Sequence, residues 1–87
     1  MIVIRTAFLA PQGVLDRPGE QFVCDLIRLC ALPRDRVEHV RVLAGPRGFD
    51  VVWFLLSDNE SAARHAAESI SRRVIAATPL LANWGVV

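Results

Sequence analysis

The 87 residues of this chain leave room for one domain, spanning residues 1–87, and a chain of this length buries only about 60% of its unfolded surface. Ten basic residues against nine acidic ones give a net charge of +1, which disfavours nucleic acid and anionic membranes as partners. All ten basic residues are arginines, so Schiff-base chemistry and a phosphate-binding P-loop lysine are excluded.

The chain is more apolar than a small soluble monomer requires. Apolar residues make up 53% of it and the mean hydropathy is +0.36, which indicates a second buried surface supplied by an oligomer or a partner. No apolar run reaches the roughly 20 residues that span a bilayer, and Arg5 interrupts the first apolar stretch. We therefore expect a cytoplasmic protein without a membrane span.

The first predicted strand covers Ile2 to Leu9, a short stretch rich in β-branched and apolar residues. It is followed by Ala10 to Gly19, which contains two prolines and two glycines and is predicted to form a loop. A loop of about ten residues is long for a connection, so it is either a plain structural loop or part of a binding site.

The first predicted helix runs from Glu20 to Ala31 and ends before Pro33. Its two cysteines, Cys24 and Cys30, are six residues apart, which places them beyond disulfide geometry on one helix and predicts core thiols. The apolar residues that recur at helical spacing are Phe22, Val23, Leu26, Ile27, Leu29 and Cys30.

A β-hairpin is predicted over residues 36–57, closed by the turn Gly45-Pro46-Arg47-Gly48. With Pro46 and Arg47 as the central turn residues, one face buries Val40, Val42, Val51, Trp53 and Leu55. On the other face the predicted pairs are Leu43 with Asp50, Arg41 with Val52, His39 with Phe54 and Val37 with Leu56. A bulge would exchange the two faces on one strand.

The second predicted helix begins after Ser57, which together with Glu60 has the spacing of a capping box, and it ends at Thr78-Pro79. Leu80 to Val87 is a candidate for a last strand. The buried stripe of the helix is predicted to comprise Ala63, Ala66, Ala67, Ile70, Val74 and Ala77.

The predicted order is strand, helix, strand, strand, helix, strand. Two right-handed split βαβ units of this kind fold into an α+β, ferredoxin-like two-layer sandwich, with a four-stranded antiparallel sheet and both helices on one face. The other face of the sheet is then uncovered, although it carries apolar side chains. We expect it to be an interface for a second copy of the chain or for another protein, formed by Val37, His39, Arg41, Leu43, Val52, Phe54 and Leu56.

The composition of this surface also permits two other interpretations. Phe54, His39 and Arg41 on an open four-stranded sheet resemble the surface on which RNA-recognition domains stack bases, but the signature aromatic pair on adjacent strands is missing. A small-ligand cleft between paired sheets near His39 is the other alternative, with His39 as a proton acceptor.

The topology also brings the loop after the first strand to the same end of the molecule as the hairpin turn. Arg17 and Arg47 are therefore predicted to converge near the first helix, where they could bind a phosphate or carboxylate. The alternative is that both arginines are simply solvated.

The loop segment Gln12-Gly13-Val14-Leu15-Asp16-Arg17 resembles the Gln-Gly-Val-x-x-Arg stretch of acylphosphatases, small enzymes of the same fold. This resemblance implies that Arg17 binds phosphoryl oxygens. The family also uses an asparagine on a central strand to orient water, whereas the asparagines here, Asn59 and Asn83, lie outside the hairpin, and Asp16 replaces the family's aromatic residue.

No metal, cofactor or catalytic constellation is predicted. His39 and His65 fall on different predicted elements from each other and from the helix that carries Cys24 and Cys30, and neither a Cys-x-x-Cys motif nor a histidine pair at helical spacing is present. We therefore expect an interaction module more readily than an enzyme.

Overall fold

The computed structural model describes residues 1–14 and 16–87. Leu15, the fourth residue of the acylphosphatase-like stretch, lies outside the described residues. The elements of the described part are strand β1 (Ile2–Leu9), helix α1 (Glu20–Cys30), strands β2 (Val37–Gly45) and β3 (Gly48–Leu55), helix α2 (Glu60–Ala77) and strand β4 (Gly85–Val86), with short 3₁₀ helices at Pro33–Asp35 and Pro79–Leu81.

The four described strands form one sheet in the order β2-β3-β1-β4, and every neighbouring pair is antiparallel. With the element order β-α-β-β-α-β this is the ferredoxin-like arrangement, as predicted. The central positions of β1 and β3 agree with their near-continuous apolar composition, because an interior strand is flanked by neighbours on both sides.

The core lies between the sheet and the two helices. Trp53, Phe8 and Ile4 are fully buried on the sheet side. Helix α1 contributes Val23 and Ile27, and α2 contributes a stripe with two alanines that lets its axis lie close to the sheet. The buried residues of α2 are Ala63, Ala67, Ile70, Ser71 and Val74.

The buried stripes of both helices are narrower than the sequence pattern predicts. On α1, Leu29 is 80% exposed and Phe22 43% exposed, and on α2 Ala77 is exposed. The reason is geometric, because a helix lying on one sheet buries a limited arc and the apolar residues of α1 spread beyond it.

The N-terminus of α2 also differs from its prediction. Asn59, not Ser57, is the N-cap residue, and its side-chain oxygen accepts a hydrogen bond from the backbone N–H of Ala62 at 2.8 Å. Asparagine is as good a cap as serine, so the helix begins where the chain first permits helical geometry after β3.

The last strand is shorter than predicted. Pro79–Leu81 forms a 3₁₀ helix and Asn83 has a positive φ of 69°, so the chain turns before it can pair with the sheet. Gly85–Val86 then pairs with β1, and reciprocal backbone hydrogen bonds of 2.9 Å join Ala7 and Val87.

The hairpin register is confirmed from the turn as far as His39. Val40 pairs with Trp53, Val42 with Val51 and His39 with Phe54. A bulge between Val37 and His39 then pairs Val37 with Leu55.

The predicted Val37–Leu56 pair is therefore wrong. The extra residue of the bulge turns Val37 towards the helices, where it packs against the core. Glu38 is the residue that the bulge leaves without a partner on β3.

A polar cluster fastens α2 to the connection between α1 and β2. Arg73 lies 3.0 Å from the carboxylate of Asp35 and donates a 2.7 Å hydrogen bond to the carbonyl oxygen of Cys30. The same carboxylate accepts from the backbone N–H of Leu32 at 2.8 Å. Because Asp35 is buried, these bonds replace the water that its charge would otherwise need.

Candidate functional site

The candidate site is the side of the sheet that faces away from α1 and α2, here called the open face. Along β1, buried Ile4, Thr6 and Phe8 alternate with residues that face the opposite side, and the same alternation runs along β2 and β3. The open face consists of Val3, Arg5, Ala7 and Leu9 from β1, His39, Arg41 and Leu43 from β2, Asp50, Val52 and Phe54 from β3, and Leu56, which follows β3.

Strand pairing arranges these residues in rows that run across the sheet. Directly opposite residues of antiparallel strands share a face and lie about 5 Å apart. The three rows, each read from β1 through β3 to β2, are Ala7, Asp50 and Leu43, then Arg5, Val52 and Arg41, then Val3, Phe54 and His39.

The open face combines apolar side chains with a few charges. Val3 is 49% exposed beside half-buried Phe54, and Leu43 is 47% exposed beside exposed Asp50. The rings of His39 and Phe54 lie 5.7 Å apart and are tilted by 41°, so they form one aromatic unit near the edge. Exposure of such a surface to water is unfavourable in free energy.

The structure places most of the predicted interface residues on the open face. His39, Arg41, Leu43, Val52 and Phe54 lie there with the predicted pairing. Leu56 is 41% exposed beyond the end of β3, whereas Val37 belongs to the core side because of the bulge.

Sequence reasoning did not include β1 or Asp50 in the predicted interface, although residues of both lie on the open face. Val3 and Arg5 lie next to Phe54 and Val52 in the sheet, and Asp50 occupies the row beside them. Arg5 was a signal that could have found this side of β1, because a charged strand residue faces away from the core and Val3, two residues away, shares its side. Their neighbours became known only when β1 was placed beside β3.

The outer edge of β2 is partly blocked. The backbone N–H of Ala44 points away from β3 and donates to the carboxylate of Glu20, the first residue of α1. The bulge at Val37 interrupts the other end of the strand, and Arg41 adds a charge in the middle. Proteins use these three devices to prevent pairing between sheet edges.

Arg17 and Arg47 converge as predicted, and both line one cavity of about 420 Å³ beside the loop. The guanidinium of Arg17 donates two hydrogen bonds of 2.8 Å, to the carbonyl oxygens of Gly45 and Pro46. Arg17 therefore fastens the loop to the hairpin turn. Two of its five N–H groups are engaged, and the carbonyl oxygens beside it repel an anion.

Two other features bear on function. Within residues 1–14 and 16–87, no group of three or more His, Cys, Asp or Glu side chains is arranged to hold a metal ion. Among the described helices, none has the length and apolar composition needed to cross a membrane.

The fold and the open face define an α+β protein of ferredoxin-like architecture with one uncovered sheet surface. No protein-family model matches this chain, and neither a curated protein nor a solved structure does.

Proposed function

We propose that this chain is a small, non-enzymatic protein-interaction module that docks a protein partner on the open face. The observation that carries this proposal is the set of exposed apolar side chains on this face: Val3 and Leu56 near the aromatic pair His39 and Phe54, and Leu43 two rows away. The two helices pack on the other side of the sheet, so burial of the open face requires a second protein.

The open face offers a small docking surface. Three rows of residues about 7 Å apart, over three strands about 4.8 Å apart, cover about 300 Å² on one subunit. Two such surfaces bury about 600 Å² in total, which is in the size range of weak, transient complexes. Half-buried Phe54, in the row nearest the bulge, is the type of rigid aromatic residue on which binding energy concentrates.

Protection of the β2 edge points to the face and not the edge as the docking surface. An exposed edge strand recruits partners through its backbone groups, yet here the N–H of Ala44 is occupied by Glu20 and the bulge interrupts pairing at Val37. The open face carries no comparable obstruction of backbone pairing, and its three charged residues, Asp50, Arg5 and Arg41, are interspersed with apolar ones.

The test compares the unmodified chain with the variant Phe54→Asp. A charge at this position should abolish binding through the open face, because a carboxylate cannot be desolvated there without a partner. Leu29→Asp, an identical type of change at an 80% exposed position on α1, is the matched control.

Light scattering after size exclusion measures self-association, and capture with each variant as bait measures binding of other proteins. Assembly or capture that Phe54→Asp abolishes and Leu29→Asp preserves supports the proposal. A chain that is monomeric at about 500 μM and captures nothing specific would refute it.

A second candidate function is binding of a small anion at the cavity shared by Arg17 and Arg47. The guanidinium of Arg47 carries the larger part of this alternative, because Arg17 already bonds the turn. Millimolar phosphate, acyl phosphate or small carboxylates should then raise the melting temperature, and Arg47→Ala should remove that shift. If none of these anions raises the melting temperature, the interaction module remains the better supported function.

A further inference from the structure

The charges on the open face alternate between adjacent rows. Asp50 lies at the centre of one row, and Arg5 and Arg41 flank Val52 in the next, about 7 Å along the strands. All three charged side chains are exposed, and the ion pairs present among the described residues involve other side chains. Each copy therefore presents one free carboxylate and two free guanidinium groups.

Two copies stacked open face to open face can be related by a twofold axis that lies between the sheets, perpendicular to the strands, midway between Asp50 and Val52. With this axis, β3 of one copy lies over β3 of the other. The row that contains Asp50 in one copy then faces the row that contains Val52 in the other. Asp50 of one copy then lies over Val52 of the other, between Arg5 and Arg41, and the same contact occurs twice. The face is thus complementary to itself in charge.

The same rotation matches the surface relief. It places Phe54 of one copy over Gly48 of the other, because both lie three residues from the axis along β3. A depression of about 400 Å³ lies beside Gly45 and Gly48 and is bordered by Ala7 and Asp50. An aromatic ring and a depression at positions related by the axis form a knob and a hole.

We infer that the partner of the open face is a second copy of this chain, docked face to face about this twofold axis. The inference rests on the proposed function, since it names the occupant of the same surface. Antiparallel sheets packed in this way lie about 10 Å apart, a distance that the side chains of Asp50, Arg5 and Arg41 bridge. The interface of about 600 Å² is small, so we expect a weak dimer that forms at high protein concentration.

The test uses two variants, each with charges of only one sign on its open face. The variant Asp50→Arg makes the open face wholly basic, and the double variant Arg5→Asp/Arg41→Asp makes it wholly acidic. Each variant alone should lose about tenfold in affinity at each of the two equivalent contacts, hence about a hundredfold, in sedimentation equilibrium. An equimolar mixture should recover a one-to-one heterodimer, which also shows that both variants are folded.

Asp25→Arg, the same charge change on the exposed side of α1, is the control and should leave the dimer intact. A wild-type dimer that survives Asp50→Arg, or a mixture that stays monomeric, would overturn the inference. A wild-type monomer at about 500 μM would also overturn it. If that monomer still captures another protein in a manner that Phe54→Asp abolishes, the proposed function survives while the second copy is rejected.

Discussion

The buried hydrogen bond between Trp53 and Thr6 provides a sharp test of how this core is held together. The indole N–H of Trp53 donates to the hydroxyl oxygen of Thr6 at 2.9 Å, across the central pair of strands. Trp53 is 0% exposed and Thr6 5% exposed, so water cannot replace either partner. The perturbation is Thr6→Val, which keeps the shape of the side chain and removes the acceptor.

The expected loss is about 1–3 kcal/mol, because a buried donor is left without an acceptor while no cavity is created. For a domain of 60–100 residues each kcal/mol lowers the melting temperature by about 4–8 °C. A loss near the middle of the range, about 2 kcal/mol, is therefore a shift of about 8–16 °C. Such a loss is a large fraction of the stability of a small domain.

A double-mutant cycle with Trp53→Phe isolates the hydrogen bond. Phenylalanine has no N–H, so Thr6→Val should cost little in that background, giving a coupling of about 1–2 kcal/mol. Urea denaturation followed by circular dichroism measures all four proteins. An equal loss in both backgrounds, or a Thr6→Val variant as stable as the parent, would show that the bond does not stabilise the fold.

Three further changes test local features. Gly48→Ala would place a Cβ atom 1.9 Å from the carbonyl oxygen of Phe8, so β1 and β3 must separate, and we expect a loss of at least about 3 kcal/mol in thermal unfolding. Arg73→Met removes the 3.0 Å ion pair of buried Asp35 and should cost about 2 kcal/mol in urea denaturation. Arg17→Ala frees the loop from the turn and should accelerate proteolysis between residues 10 and 19, with a stability loss below about 1 kcal/mol.

Each of these changes has a matched control. Gly45→Ala should be tolerated, since its Cβ atom would meet nothing closer than 3.8 Å, and an equal loss at both glycines would contradict the steric argument. Arg72→Met alters a neighbouring arginine whose side chain is 71% exposed and should change the unfolding free energy by less than about 0.5 kcal/mol. Arg34→Ala, at an exposed position away from the turn, should leave loop proteolysis unchanged.

The fold was predictable because its strongest signals are local. The Gly45–Gly48 turn sets the register of β2 and β3, and the pairing of Val40 with Trp53 and of His39 with Phe54 follows from counting outward from it. The apolar composition of β1 and β3 likewise fits their interior positions in the sheet.

Predictions failed where a distant contact overrides a local pattern. The bulge that turns Val37 towards the core has no signal in the residues around it. Leu29 fits the helical spacing of α1, yet it is 80% exposed because the sheet beneath the helix covers a narrower arc. Asn59 replaces Ser57 as the cap for a similar reason, since the end of β3 decides where α2 can begin.

Part of the open face was predictable from the sequence, and part was decided only by the tertiary structure. Periodicity within β2 and β3 was enough to place Arg41, Val52 and Phe54 on one side of the sheet. The position of Arg5 beside Val52, and the bonds of Arg17 to the turn, arise from segments 28 to 47 residues apart along the chain. Alternation along a strand repeats every two residues and is visible in a single segment, whereas neighbours across a sheet exist only after the chain has folded.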